Sequence, residues 1–478
     1  MSQLPPSNPA RRRLLAGIAA STAGASVLAA CGGSSGGGGD DDGGSLIGGD
    51  GSPAPLPEMK GLPAPEDSGI DHIVVVMMEN RSFDHYFGWL PGANGRQAGL
   101  NFKDKAGANV ASFPLASTDG YGYQSCGQED PNHSYDGGRL HYNDGRMDGF
   151  LQTVSADGDH FPVGYFGADD LPFFKGVAEQ WTVCDRYFSG ILSSTYPNRI
   201  YMHTGQTDRN SNTTTASTLP AIWDQLAAKG LTGTYYFNDL PLTALFGTRF
   251  LTISQPYAAF LAAAALGSLP AVSYVDPSFG GETFGTSNDD HPLADVRNGQ
   301  AFLNQVYNAL RNSPNWEKTL LIINYDEWGG FYDHVPPPLA PVSTAENSVV
   351  GNDGRLGFRV PCVLAGPRVR KGHIDSNQYD PNSILNLISW RFGLDGLGVR
   401  SQTSKNLAYV LDFSSSPRSD KPAFDVGAGP FGSACQLATI LPQSTSLSSL
   451  ASAQRSAAEH FLDLETLRMI AKRNGFSW

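Results

Sequence analysis

Two apolar runs in this chain each lead into a cluster of acids. Ile73-Val74-Val75-Val76-Met77-Met78 runs into Glu79-Asn80-Arg81-Ser82-Phe83-Asp84-His85-Tyr86-Phe87-Gly88. Leu320-Leu321-Ile322-Ile323-Asn324-Tyr325 runs into Asp326-Glu327-Trp328-Gly329-Gly330-Phe331-Tyr332-Asp333-His334. Short Ile/Val/Leu runs of this kind read as buried parallel strands. Open parallel sheets bind ligands at the carboxyl ends of their strands. Both clusters are therefore expected at one sheet edge, although Glu79 and Asp326 stand 247 positions apart. Carboxylates gathered there raise one another's pKa unless a cation neutralises them. Glu79, Asp326 and Glu327, with the carbonyl oxygen of Asn80, make a hard-oxygen set suited to a divalent metal. Taken singly, each acid could equally cap a helix or pair with arginine.

A third segment, Ser193-Ser194-Thr195-Tyr196-Pro197-Asn198-Arg199, sets small hydroxyls before a rigid Pro turn. A hydroxyl held on a metal at such a turn becomes a nucleophile. A plain Ser/Thr helix cap is the simpler use of the same residues.

The elements that must position these groups follow from the hydrophobic pattern. Strands are expected over 70–78, 232–237, 271–275, 320–325 and 360–365. Helices are expected over 220–229, 293–311 and 383–392, with a last amphipathic stretch at 447–474. Apolar strands alternating with helices predict a mainly parallel, doubly wound sheet in a three-layer α/β/α sandwich. Residues 88–190 and 394–440, rich in Gly and Asp, read as irregular caps on that sheet.

The N-terminal residues read as targeting rather than fold. Arg11-Arg12-Arg13 precedes an apolar run from Leu14 to Ala30, the pattern of an export signal over residues 1–30. Leu28-Ala29-Ala30-Cys31 looks like a lipobox with Cys31 as the lipidated residue, and the Arg pair resembles a twin-arginine signal. The Gly/Ser/Asp/Pro stretch that follows predicts a tether over 31–66 and a single catalytic domain over 67–478. The protein is thus expected as an exported, membrane-anchored lipoprotein in the periplasm or at the cell surface. Loss of residues 1–30, which hold three Arg and no acid, takes the net charge from −13 to −16. With only 33 Lys and Arg and no basic stripe, nucleic-acid binding is not expected. Zwitterionic lipid is an easier target than anionic lipid for so acidic a body. Cys126, Cys184, Cys362 and Cys435 allow one or two disulfides, with the pairing left open.

His72–Gly88, Asp130–Phe150, Leu171–Gly205, Asp290–Asp295 and Tyr325–Pro338 resemble the bacterial phosphoesterase family of phospholipases C and respiratory-burst-inhibiting acid phosphatases. The string Glu79-Asn80-Arg81-Ser82-Phe83-Asp84-His85-Tyr86-Phe87-Gly88 is the most specific part of the match. The resemblance implies an alkaline-phosphatase-like fold and a metal-dependent phosphoric ester hydrolase. It implies one divalent ion (Ca, Mg, Mn, Fe or Zn) on Glu79, Asn80, Thr195, Asp326 and Glu327. Thr195 would also be the nucleophile that takes the phosphoryl group. His291, in Asp290-His291-Pro292, would donate a proton to the leaving oxygen or stabilise the phosphoryl oxygens, and His133 would lie near the substrate. Asn198 and Arg199 complete the nucleophile motif, while His85 and His334 fall just behind the ligands or serve structure. His72, His141, His160, His203, His373 and His460 are assigned to packing or surface, with His460 on a C-terminal helix away from the site.

Phospholipid or another small phosphoester is the implied substrate. A phosphatidylcholine-type diester is favoured over a phosphomonoester. Three departures from the family bear on this: Trp328 after the Asp-Glu pair, Tyr196 after Thr195, and Asp380-Pro381 where relatives often carry His. They leave open an inactive surface lipoprotein of the same fold. A sulfatase is disfavoured, because oxidation of Thr195 would give a ketone rather than the aldehyde those enzymes need.

Overall fold

The computed structural model describes residues 46–154, 158–435 and 452–477. The export signal, Cys31 and the first part of the tether lie outside the described residues. Eight strands form the main sheet and are numbered here in chain order. They are β1 His72–Met78, β2 Thr182–Cys184, β3 Gly233–Phe237, β4 Ser254–Pro256, β5 Val272–Val275, β6 Thr319–Tyr325, β7 Cys362–Ala365 and β8 His373–Asp375. Their spatial order is β8-β2-β7-β6-β1-β5-β3-β4. All neighbours pair in parallel except β7, which runs antiparallel to both β6 and β2. β1 lies at the centre, paired along its length with β6 (His72↔Thr319 through Met78↔Tyr325) and with β5 (Ile73↔Val272 through Val76↔Val275). Ile73–Val76 are fully buried, as expected of a strand covered on both faces.

The helices are α1 Phe83–Phe87, α2 Tyr135–Tyr142, α3 Pro172–Gln180, α4 Thr195–Thr204, α5 Ile222–Ala228, α6 Tyr257–Leu266, α7 Val296–Arg311, α8 Pro381–Phe392 and α9 Ser452–Arg473. Side-chain alternation along β3 sorts them into layers. Tyr235 meets His203 of α4, whereas its neighbour Tyr236 meets Phe260 of α6. Tyr274 of β5, in register with Tyr235, packs on His203 and on Trp223 of α5. α4 and α5 thus cover one face and α6 the other, so the sandwich has three layers.

Local signals set several helix starts. Ser82, Asp295 and Asp380 each accept a backbone N–H from the first turn of α1, α7 and α8. Asp380 caps α8, and Pro381, where relatives often carry His, is the first residue of that helix.

Two readings change, and the open cysteine pairing is resolved. Residues 46–66, placed in a tether, lie along the body instead. Ala54 and Gly396 exchange backbone hydrogen bonds, Gly48 N–H donates to the Val342 carbonyl, and Gln206 Nε2 donates to the Gly51 carbonyl. The 88–190 region carries α2, α3 and β2 within its irregular loops. Cys126 and Cys435 form a disulfide, while Cys184 and Cys362 are free thiols buried side by side on β2 and β7. Among the described residues no helix is long and apolar enough to cross a membrane.

Candidate active site

The three central parallel strands β6, β1 and β5 each end in an acid: Asp326, Glu79 and Asp276. All three are buried, and one guanidinium lies among them. Arg199 sets Nη1 3.0 Å from Asp276 Oδ1, Nη2 3.3 Å from Glu79 Oε1 and Nε 3.5 Å from Asp326 Oδ2. Arg199 is on α4, one turn after Thr195, which opens that helix; residues four apart share a helix face. Ser194 caps the helix by position but accepts no backbone N–H with its side chain, so the turn is held otherwise. Asn198 Nδ2 donates to the carbonyls of Ile191, Ser193 and Ser194, and its Oδ1 accepts from Ile191 N–H. Asn198 therefore shapes the turn that presents Thr195.

Asn80 adopts φ 62°, a left-handed conformation that Asn tolerates better than most residues. Its N–H donates to Asp326 Oδ1 at 3.2 Å, and the same oxygen accepts from Glu327 N–H at 2.7 Å. Glu327 Oε2 accepts from Gly329 N–H at 2.7 Å. Gly329, at φ 62°, packs so closely that a Cβ there would stand 2.1 Å from the Asn80 carbonyl oxygen. The two strand-end turns thus touch through main chain.

In each of the four expected ligands, one buried side-chain oxygen has no hydrogen-bond partner: Glu79 Oε2, Asn80 Oδ1, Asp326 Oδ2 and Glu327 Oε1. Buried polar atoms are rarely left so. Burial, with the Asp326 charge adding, pushes Glu79 up to about 7. Asp326 and Glu327 are also raised, first by burial. One arginine cannot neutralise four acids, and the unmatched oxygens suit a hard divalent cation. The residues fit the metal that the sequence implies.

His291 sits on a loop tied to β1 by the Glu79 N–H, which donates to the Asp289 carbonyl at 2.9 Å. Asp290 and Leu293 on either side both have positive φ. His291 Nδ1 lies 3.3 Å from Glu282 Oε2, and Nε2 lies 3.8 Å from Asp130 Oδ2. Burial disfavours the charged ring, but Glu282 and Asp130 outweigh it and raise His291 well above the usual imidazole range. His133 stands edge-on to His291 at 6.1 Å, with Nε2 3.9 Å from Glu327 Oε1. Burial lowers its pKa.

The remaining candidates fall elsewhere. His85 has Nδ1 on the Gly164 carbonyl and Nε2 on Arg81, whose Nε donates to the Asp290 carbonyl. It reaches the His291 loop through Arg81. His334 belongs to a separate cluster with Asp84, Asp333 and Arg359. Trp328 turns away from the acids, and its Nε1 donates to His141 Nδ1 inside a small aromatic core.

Sequence reasoning missed Asp276, Glu282 and the place of His460. The assignment of His460 away from the site is corrected: its ring stacks on His291 at 3.7 Å. Its signal was the stripe His460, Leu464, Leu467 and Ala471, which puts the histidine on the inward face of α9. Glu282 follows a Gly-Gly pair and offers no comparable signal.

The Phosphoesterase family model matches residues 70–395. Non-specific phospholipase C1 of Arabidopsis thaliana is 32% identical over 392 residues, covering 74% of this chain and 73% of that protein. Phospholipase C A of Mycobacterium tuberculosis is 30% identical over 421 residues, covering 74% and 79%. Among solved structures, the phosphonate monoester hydrolase of Agrobacterium radiobacter overlaps at a TM-score of 0.35 and 10% identity, over 73% of this chain and 78% of that one.

Proposed function

The chain belongs to the Phosphoesterase family and is a hydrolase of phosphoester bonds, and within that class we propose a metal-dependent phospholipase C-like enzyme with Thr195 as nucleophile. The observation that carries this reading is the set of four buried oxygens without a hydrogen bond at the ends of β1 and β6, two of whose residues, Glu79 and Asp326, pair with Arg199 of the helix that Thr195 opens. Glu79, Asn80, Asp326 and Glu327, with the Thr195 hydroxyl, would hold one divalent ion. Bound there, such an ion supplies charge neutralisation at phosphorus and a lowered pKa for the hydroxyl.

Thr195 Oγ1, its proton released to solvent, forms the new bond to phosphorus as the bond to the leaving oxygen breaks. His291, held protonated by Glu282 and Asp130, gives its Nε2 proton to that oxygen. In the second half a water attacks phosphorus as the bond to Thr195 Oγ1 breaks; His291 takes the proton of that water, and Oγ1 regains a proton from solvent. Arg199 and Asn198 fix the turn throughout. His133 would hydrogen-bond a phosphoryl oxygen or a headgroup.

Phosphatidylcholine-type diesters are the substrate favoured here, since the phospholipase C relatives span about three quarters of the chain and the body is acidic. The protein is proposed to act at a membrane to which Cys31 anchors it after export. Purified protein with added Ca²⁺, Mg²⁺, Mn²⁺, Fe²⁺ or Zn²⁺ should release phosphocholine from phosphatidylcholine and cleave p-nitrophenyl phosphorylcholine. Phosphate release from p-nitrophenyl phosphate alone would replace this reading with that of an acid phosphatase.

A further inference from the structure

We propose that the C-terminal helix α9 completes the active site, with His460 as a positioning residue that fixes His291 by ring stacking and a shared Glu282 carboxylate. This rests on the role given to His291 above. The two imidazoles lie 3.7 Å apart at an interplanar angle of 13°. Glu282 bridges them, with Oε1 2.8 Å from His460 Nε2 and Oε2 3.3 Å from His291 Nδ1. A carboxylate at Nδ1 sets the tautomer and orientation of a histidine. Here it leaves Nε2 as the working edge of His291, buried, without a hydrogen bond and directed toward Asp130.

The trio is not arranged as a metal site. In-plane lone pairs of two nearly parallel rings run side by side and do not converge on one ion. The helix is also tied to the nucleophile turn. The Tyr196 hydroxyl, beside Thr195, donates to the Asp463 carbonyl at 3.3 Å, and Arg468 pairs with Asp239 at 3.5 Å. The helix lies beyond residues 70–395, so this part of the site comes from outside the segment that the family model matches. Besides Glu282 and Asp130, the charged or titratable groups acting on His291 or His133 include Glu79 and His460.

The test uses full-length protein with its activating cation. His460→Phe keeps a ring over His291 but loses the donor to Glu282, and His460→Ala loses both. We expect kcat to fall about tenfold for Phe and about 100-fold for Ala, with KM nearly unchanged, as for a misplaced reacting group. Without His460, the Glu282 charge acts on His291 undivided, so the alkaline limb of the kcat profile should move to higher pH. Either variant, folded with the wild-type Tm, keeping the wild-type kcat and pH profile would overturn the proposal. If the Ala variant does not fold, the Phe variant decides. An NMR titration of the His291 ring in wild type and His460→Phe reads the same coupling without turnover. An upward shift supports the proposal, and an unmoved His291 overturns it, even if no phosphoester in the panel is cleaved and only the assigned reaction fails.

Discussion

The two strand-end motifs each build two charged clusters, and the clusters have opposite character. At the front, Glu79, Asp276 and Asp326 share Arg199, and Glu79, Asp326 and Glu327 each keep a buried oxygen without a hydrogen bond. A few residues further on, Asp84 and Asp333 meet Arg359, which reaches Asp333 Oδ1 through Nε at 2.9 Å and Asp84 Oδ1 through Nη2 at 3.0 Å. His334 completes that second cluster with Nδ1 2.6 Å from Asp84 Oδ2. Both clusters use buried acids and a buried arginine. Only the balance differs: the second has its carboxylate oxygens matched by donors, and the first does not. Residue type therefore does not separate these two clusters, whereas the balance of donors and acceptors does.

The contrast can be broken experimentally at several points. Thr195→Ala should reduce hydrolysis by about 10⁴-fold or more while leaving the melting temperature nearly unchanged, because the variant removes the proposed nucleophile and little packing. A measurable residual rate with a normal phospho-enzyme signal would move the nucleophile elsewhere. Arg359→Ala should cost about 3–5 kcal/mol in chemical denaturation, because it strands two buried carboxylates. Its folded fraction should hydrolyse at close to the wild-type rate.

Divalent cation should raise the stability of chelator-treated protein by about 2.7 kcal/mol at 100 times its dissociation constant. The metal-free protein should also respond to pH. The folded-state pKa of Glu79 is raised to about 7 from 4.5, so the unfolded chain ionises first as pH rises. The group thus lowers stability progressively between about pH 4.5 and about pH 7, and bound cation should flatten that slope. Asp333, raised to about 6 by burial against the opposing pull of Arg359, should contribute a slope that cation leaves in place. The smallest effect is the most diagnostic. Asp326→Asn should stabilise the metal-free protein by about 1 kcal/mol, by relieving repulsion, while abolishing the gain from cation. A comparable neutral swap in the second cluster, Asp333→Asn, should destabilise. Equal signs in these two denaturation curves would erase the distinction.

Much of this was legible in the chain itself. β1 and β6 are long apolar runs flanked by turn residues, and burial on both faces demands that composition. The acids after them followed from where a parallel sheet ends. β2, β4 and β8 are three residues each and are held by their neighbours rather than by pattern, so no local signal marks them. α6, rich in alanine, carries almost no amphipathic contrast. At the site, Asn198 and Arg199 were readable as parts of a turn, but the three-way pairing of Arg199 depends on strands from distant parts of the chain. His460 was misread because a histidine far along a helix was judged by its distance in sequence from His291 rather than by the face it occupies.

The contact of Gly329 with the Asn80 carbonyl limits how this pocket can change. This main-chain contact, together with the Asp326 carboxylate on Asn80 N–H, sets the spacing between the two turns. Exchange at Glu79 would alter the charge or reach offered to the proposed ion without touching that contact. Any L-residue at position 329 would wedge the turns apart, so redesign of the proposed ion site has to keep glycine there.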